Sequence, residues 1–391
     1  VAVAGVTGAG LDLSLDVSAV PVRPGGAGYY TLELADALCR RDDVAVTLVS
    51  RRGDAQRWQD LAAGRAVVTA AVPDSRPGRL AFEQVRYPRL LGSLGVEVHH
   101  SPHYTMPERS PVPCVVTIHD CTFFDHPEWH LRSKAVFFRR AIRRASLRAG
   151  ALVCVSEVTA THLRASCPVR APIVVAPHGV DHGRFTPVEP EPGADRALLA
   201  AVGVPPDRPL IAFVGTLEPR KGVAPLVGAF DRLAETDDDV VLVLGGQTGW
   251  GLAEVERALA ATRHPDRIIR TGYLSDAAVP ALLRQATVVA CPALAEGFGL
   301  PALEAMACGA PLVTTEGTAM AEMAQGAAWL VTPGDVGTLA DALGAVIAGG
   351  PESAAVAGQR DLGLRVAASH TWAASAERHL EAYGLARTAP L

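Results

Sequence analysis

From Cys291 to Gly309 the chain reads C-P-A-L-A-E-G-F-G-L-P-A-L-E-A-M-A-C-G, and seven residues separate Glu296 from Glu304. Gly297, Gly299 and Pro301 lie between the glutamates, and an apolar run, Thr287–Cys291, comes just before. The order implied is strand, tight loop, helix start. Glycines at 297 and 299 let a ligand approach the backbone N–H groups closely. Pro301 suits the first turn of a helix, where its missing N–H costs nothing. Glu304 then falls one turn into that helix, and Glu296 stands in the loop. Carboxylates accept hydrogen bonds from pairs of hydroxyls, while N–H donors and a helix N-terminus favour a diphosphate. A sugar nucleotide asks for both.

Three further strings carry chemistry. V-G-T-L-E-P-R-K-G, Val214–Gly222, follows an apolar strand and brings Arg220 and Lys221 to its carboxyl end. Cations held there would stabilise a leaving nucleoside diphosphate as it gains charge. R-P-G-G-A-G-Y-Y, Arg23–Tyr30, follows the first strand, and its glycines suit a phosphate, with a helix expected from near Tyr29. That loop is G-G-x-G rather than G-x-G-x-x-G, and the second strand runs into Arg51 and Arg52 rather than an acidic residue. Both points argue against a dinucleotide-binding oxidoreductase. T-I-H-D, Thr117–Asp120, ends an apolar strand. His119 there could hydrogen-bond a sugar hydroxyl or donate to a developing charge; read alone, a histidine capping its own loop explains it as well.

Taken together these strings resemble glycosyltransferase family 4, retaining enzymes of the GT-B fold whose mark is the E-x7-E motif. The resemblance extends over nearly the whole chain. It implies that Glu296 sits by the donor sugar and that Glu304 holds the ribose hydroxyls. Gly215, Gly297, Phe298, Gly299 and Leu300 would line the donor site. It gives the diphosphate to Arg220 and Lys221, and leaves open which makes the main contact. Some members carry an arginine directly after the glycine, where this chain has Thr216. By the same resemblance Gly26 and Gly28 touch the donor phosphates, Tyr29 meets the acceptor, and His119 lies beside the donor sugar. Asp120 orients the imidazole or acts near the acceptor. Tyr273 and Leu274, in the turn G-Y-L, contact the base. P-H-G-V-D, Pro177–Asp181, is similar to the family's P-N-G-V-D with His178 in place of Asn, and is expected to be structural. The activity expected is metal-independent, retaining hexosyl transfer with no resident cofactor; the resemblance suggests front-face attack, and no residue of the sequence stands out as an enzymic nucleophile. The string G-T-L-E-P-R-K looks most like mannosyltransferases using GDP-mannose, with a glycan, glycolipid or lipid-linked acceptor. The alternatives are a UDP- or dTDP-sugar with a small-molecule acceptor, a sugar-nucleotide epimerase, and a non-catalytic nucleotide-binding protein.

The elements that must position these residues can be read from the same chain. Thirteen short β-branched runs alternate with helical patterns over 391 residues, seven before residue 183 and six after residue 209. Such alternation implies an α/β protein with two doubly wound, Rossmann-like parallel sheets, whose ligands bind at the carboxyl ends of the strands, in a central cleft. The expected organisation is an acceptor domain over 1–182, a Pro- and Gly-rich linker over 183–209, and a nucleotide-sugar domain over 210–371. The resemblance adds a C-terminal helix over 372–391 that returns to the first domain. The first ten residues lack the basic leader of a signal peptide and read as a short extension.

Composition bounds the partners. Apolar residues make up 49% of the chain and charged residues 20%, so a large core is expected, and a net charge of −5 gives no sign of nucleic acid. Seven scattered cysteines without a C-x-x-C pair read as reduced thiols in a cytoplasmic protein. His99, His100 and His103 read as a polar loop rather than a metal site, and Asp237–Asp239 as a solvated turn. Leu131–Arg148 carries seven basic and no acidic residues. Two readings of it stand open: a basic amphipathic helix that rests on an anionic membrane surface or meets an acceptor pyrophosphate, and an ordinary helix with its phenylalanines in the core.

Overall fold

A computed structural model describes residues 10–205 and 207–389. The stretch read as an N-terminal extension lies almost wholly outside them. The chain forms two compact units: one runs to Gly179 and takes in the last helix, Trp372–Arg387, and the other spans Val180–Thr371.

Among the described residues the first unit is built on a parallel sheet of seven strands: β1 (Leu11–Asp16), β2 (Val44–Arg51), β3 (Val67–Val72), β4 (Val98–Ser101), β5 (Cys114–Ile118), β6 (Ala151–Cys154) and β7 (Ile173–Val175). Their order is β3-β2-β1-β4-β5-β6-β7. The second unit has six parallel strands: β8 (Leu210–Val214), β9 (Val241–Gly245), β10 (Ile268–Gly272), β11 (Val288–Cys291), β12 (Leu312–Thr315) and β13 (Trp329–Val331). Their order is β10-β9-β8-β11-β12-β13. All thirteen strands fall where the β-branched runs placed them. Strands such as β5, β9 and β11 are buried along their whole length, as helices on both faces require. In each sheet the strand order reverses once, between β1 and β4 and between β8 and β11. The loops leaving the carboxyl ends there are the natural ligand loops of this architecture.

Several local expectations need correction. The first helix starts at Gly26, not near Tyr29, because the Gly25 carbonyl already accepts from the Tyr29 N–H at 2.9 Å. His99 and His100 are not in a polar loop; they lie on β4 and are fully buried. His99 bonds Ser14 and Ser101, so its ring nitrogens are occupied without a metal. Asp237–Asp239 is a turn, closed by the Asp239 N–H on the Asp237 carboxylate.

The basic helix runs Arg132–Arg148. Phe138 and Ile142 face the core, while Val136, Phe137 and Leu147 are exposed. Arg139 donates to the Phe123 carbonyl and Arg144 pairs with Glu108, so two of its cations serve the fold. Among the described residues no helix is long and apolar enough to cross a membrane. All seven cysteines are buried and unpaired.

Residues 183–209 belong to the second unit. Their helix Ala194–Ala200 is held by Asp195, which is fully buried and takes a two-pronged bond from Arg284, 2.7 Å on each side. Removing one partner strands a buried charge, whereas an apolar pair of like volume does not. Asp195→Ala is therefore expected to lower stability by about 3–5 kcal/mol. Thermal unfolding should show most of that loss recovered in the double variant Asp195→Leu, Arg284→Met.

Candidate active site

On the second unit, two loops from neighbouring strands are locked together. After β8 the chain turns through a short 3-10 segment, Pro219–Lys221, and Gly222 closes it with φ +71°. A Cβ on Gly222 would lie 2.0 Å from the Pro292 carbonyl oxygen, which belongs to the loop after β11. The Leu294 N–H from that second loop donates to the Arg220 carbonyl at 2.8 Å. Glycine is thus required twice over at 222, by its backbone angle and by the close approach.

This contact sets the Arg220 and Lys221 side chains on Glu296. Lys221 Nζ and Arg220 Nη1 both donate to Oε2 of Glu296, the latter at 3.3 Å. Arg220 Nε also pairs with Glu218 at 2.6 Å. Glu218 was not among the expected site residues, although it stands two residues before Arg220 in the same string. The result is a mostly buried cluster of two carboxylates and two cations. Burial alone pushes the Glu296 carboxyl up. The adjacent Lys221 and Arg220, helped by the Gly297 N–H, more than offset this and bring it down to about 2.

The helix carrying Glu304 runs Leu300–Ala307, with Pro301 in its first turn as expected. Gly299 precedes it with φ +94°, and a Cβ there would meet Met320 Cγ at 2.2 Å. The protein itself therefore demands this glycine, whatever a ligand demands. The expected row of free N–H donors is shorter than the sequence suggested: Gly297 donates to Glu296, while Ala302 and Leu303 donate to the Gly299 carbonyl. Phe298 is buried, Leu300 and Glu304 half-buried. After β10, Tyr273 is half exposed while Leu274 packs in the core against Gly245, so only the tyrosine offers a side chain. Gly215 donates its N–H to the Gly245 carbonyl. The loop after β9 pairs with the β8 loop, Leu217 with Thr248, and carries a half-exposed Trp250 that no motif had pointed to.

On the first unit, His119 follows β5 directly and is 9% exposed. Its Nε2 lies 2.8 Å from the Pro102 carbonyl, which can only accept, so Nε2 carries the proton. Burial lowers the pKa, and Nδ1 is then the acceptor of a neutral ring. Asp120 spends one carboxylate oxygen on the N–H and hydroxyl of Thr122. Pro102, not Asp120, orients the imidazole. Gly26 is exposed, Gly28 buried against Pro24 and Tyr29 half-buried.

Residues 24–184 match the model of Glycosyltransferase Family 4, and residues 196–360 match that of Glycosyl transferases group 1. The chain belongs to the family 4, group 1 glycosyltransferases. The D-inositol 3-phosphate glycosyltransferase of Actinosynnema mirum is 29% identical, over 93% of both chains. The O-antigen chain mannosyltransferase B of Escherichia coli is 28% identical over 61% of this chain, and the match spans 62% of that protein. Among solved structures, Anabaena HepE in complex with UDP-glucose superposes with a TM-score of 0.70 and 19% identity, over 95% of this chain and 98% of that one. The likeness is one of fold, and the fold is GT-B.

For this family 4 glycosyltransferase, a depressed Glu296 pKa contributes stability that is present above the ordinary carboxylate range, near 4.5, and is lost as pH falls toward about 2. Removing the closest cation leaves burial less opposed. Lys221→Met is expected to raise the Glu296 pKa above about 2 and to move the onset of acid unfolding to higher pH. A carbon-detected NMR titration of the glutamate carboxyls tests this; an unmoved Glu296 would refute the role given to Lys221.

Proposed function

We propose that this chain transfers a hexose from a nucleotide sugar to an acceptor hydroxyl, with retention and without a metal ion. The observation that carries the reading is the pairing of Lys221 and Arg220 with Glu296 at the carboxyl ends of β8 and β11. At rest those cations have a carboxylate for a partner. A diphosphate brings more negative charge and would take over Lys221 and Arg220, freeing Glu296 to meet the donor sugar. Fixed cations beside the departing β-phosphate lower the barrier because they need not reorganise as charge develops. They supply the positive charge that a divalent cation gives in other transferases. Glu304 accepts the ribose hydroxyls, Tyr273 borders the base, and His119 accepts a sugar hydroxyl at Nδ1. Gly26, Gly28, Tyr29 and Asp120 are assigned to the phosphates and acceptor.

The donor we favour is GDP-mannose. The string G-T-L-E-P-R-K and the likeness to a mannosyltransferase support it. The fold likeness to a UDP-glucose complex keeps a UDP-sugar as the second reading. For the acceptor we favour a glycan or lipid-linked molecule reached from the cytoplasmic face of a membrane. Exposed Leu131, Val136, Phe137 and Leu147 stand beside Arg132, Lys134, Arg140 and Arg148 on one helix, a combination that suits anionic lipid.

Release of nucleoside diphosphate from GDP-mannose, UDP-glucose, UDP-N-acetylglucosamine and dTDP-rhamnose, with and without EDTA, tests the donor. One donor should turn over slowly without acceptor, insensitively to EDTA, and Lys221→Ala should lower the rate about 100- to 1,000-fold. Silence with every donor, and no rise in melting temperature with nucleotide, would identify a non-catalytic member. Conversion of the sugar without release would identify an epimerase. In sedimentation with vesicles, binding to anionic and not to neutral lipid is expected, and Arg132→Glu with Arg140→Glu should abolish it.

A further inference from the structure

The first unit buries a run of polar side chains that none of the motifs accounts for. Tyr30, His100, Thr117, His379 and Tyr383 are all fully buried. They come from the helix Gly26–Cys39, from β4 and β5, and from the helix Trp372–Arg387. Each is joined to the next by a hydrogen bond. His379 Nδ1 meets the Ser375 carbonyl at 2.7 Å, and His379 Nε2 meets the Tyr30 hydroxyl at 2.8 Å. Tyr30 meets Thr117 Oγ1, Thr117 meets His100 Nε2, and His100 Nδ1 meets the Tyr383 hydroxyl, each at 2.8 Å.

One end of this run dictates the direction of every proton in it. The Ser375 carbonyl can only accept, so His379 carries its proton on Nδ1. Burial lowers the pKa of His379 to about 4 and that of His100 well below the usual value, so both rings are neutral. His379 Nε2 must then accept, and Tyr30 donates to it. The Tyr30 oxygen accepts from Thr117, whose own oxygen accepts from His100 Nε2–H. That leaves His100 Nδ1 to accept from Tyr383. No donor is used twice and no ring nitrogen is left over, so the run is satisfied in one arrangement only.

Its midpoint touches the site. The Tyr30 ring stands edge-on to His119, 5.0 Å between centroids at 82°. Three more rings stand against it: His178 at 4.8 Å, His379 at 5.8 Å and Trp372 at 6.3 Å, with His178 itself stacked on Trp372 at 5.6 Å. Thr117 lies two residues before His119 on the same stretch of chain. We propose that Tyr30 is a positioning residue of this transferase, held by His379 of the C-terminal helix, and that its ring sets the plane in which His119 presents Nδ1 to a substrate hydroxyl. The proposal rests on His119 contacting substrate as described above.

Two measurements on the full chain test it. Nitrogen NMR of the imidazoles in the wild type should show His379 protonated on Nδ1, and His100 and His119 on Nε2. His379 protonated on Nε2, or charged at neutral pH, would overturn the arrangement. Tyr30→Phe keeps the ring and loses both of its bonds. It should shift the His119 ring resonances and lower kcat about ten- to a hundredfold, with nucleotide affinity unchanged, well below its melting temperature. Tyr383→Phe breaks the run at its far end and leaves both Tyr30 bonds. It should lower the melting temperature while kcat stays within about twofold. Equal kcat losses in the two variants, or an unmoved His119 in Tyr30→Phe, would reduce the run to a stability device and overturn the proposal. Transfer at the wild-type rate by His119→Ala would instead strike at the role of His119, and would do so with the proton order still standing in the spectra.

Discussion

The hydrogen bond from the Leu294 N–H to the Arg220 carbonyl, with Gly222 pressed on Pro292 beside it, is the contact on which the second unit's chemistry depends. It joins the loops of two adjacent strands at the point where the strand order reverses. Four ionised side chains then share a space largely out of water. Removing charge from water is costly unless each ion has a partner, and here Glu218, Arg220, Glu296 and Lys221 neutralise one another two by two. The glycines and the backbone bond thus come before the electrostatics. A bulkier residue at 222 would push the loops apart and part Arg220 and Lys221 from Glu296.

The two units handle buried polarity in different ways. In the second, partners are ions, and an anion that brings more negative charge than Glu296 can compete for the cations. In the first, the run from Ser375 to Tyr383 is made of neutral groups, each donor spent on one acceptor. Such a run has no spare donor to offer, so it resists rearrangement and suits a supporting role. His119 lies beside it, with one nitrogen committed to Pro102 and the other left as an acceptor.

The sequence was informative in proportion to how local each feature is. Strands showed themselves because β-branched residues recur in short runs, and all thirteen were visible. Arg220, Lys221 and Glu296 stood in strings whose residue types imply charge chemistry, and the structure brings those three together. What the strings could not show was partnership across sequence distance. Nothing near Asp195 announces Arg284, and nothing near Tyr30 announces His379. His99 and His100 were misread because three histidines in five residues look polar, whereas on a central strand they are hydrogen-bonded and enclosed. Gly299 was explained by ligand approach when Met320 is the nearer cause. Asp120 was read as orienting the imidazole or acting near the acceptor; the first falls away, because the carbonyl that holds the ring comes from Pro102.

The first unit is assembled from both ends of the chain, with the whole of Val180–Thr371 inserted between. During synthesis this order has a cost in time. Tyr30 and His100 are made early, but the helix that supplies His379 and Tyr383 emerges only after roughly 190 intervening residues. At ribosomal speeds of ~5–20 residues per second, that is a wait of about 10 to 40 s. For that interval the sheet β3 to β7 exists without the helix that packs on it and whose Tyr383 donates to His100. The second unit, continuous in sequence, can meanwhile fold to completion. The newborn chain therefore passes through a stage in which the second unit is assembled and the first unit is still incomplete, a stage that a holding chaperone would recognise by its bare apolar strands.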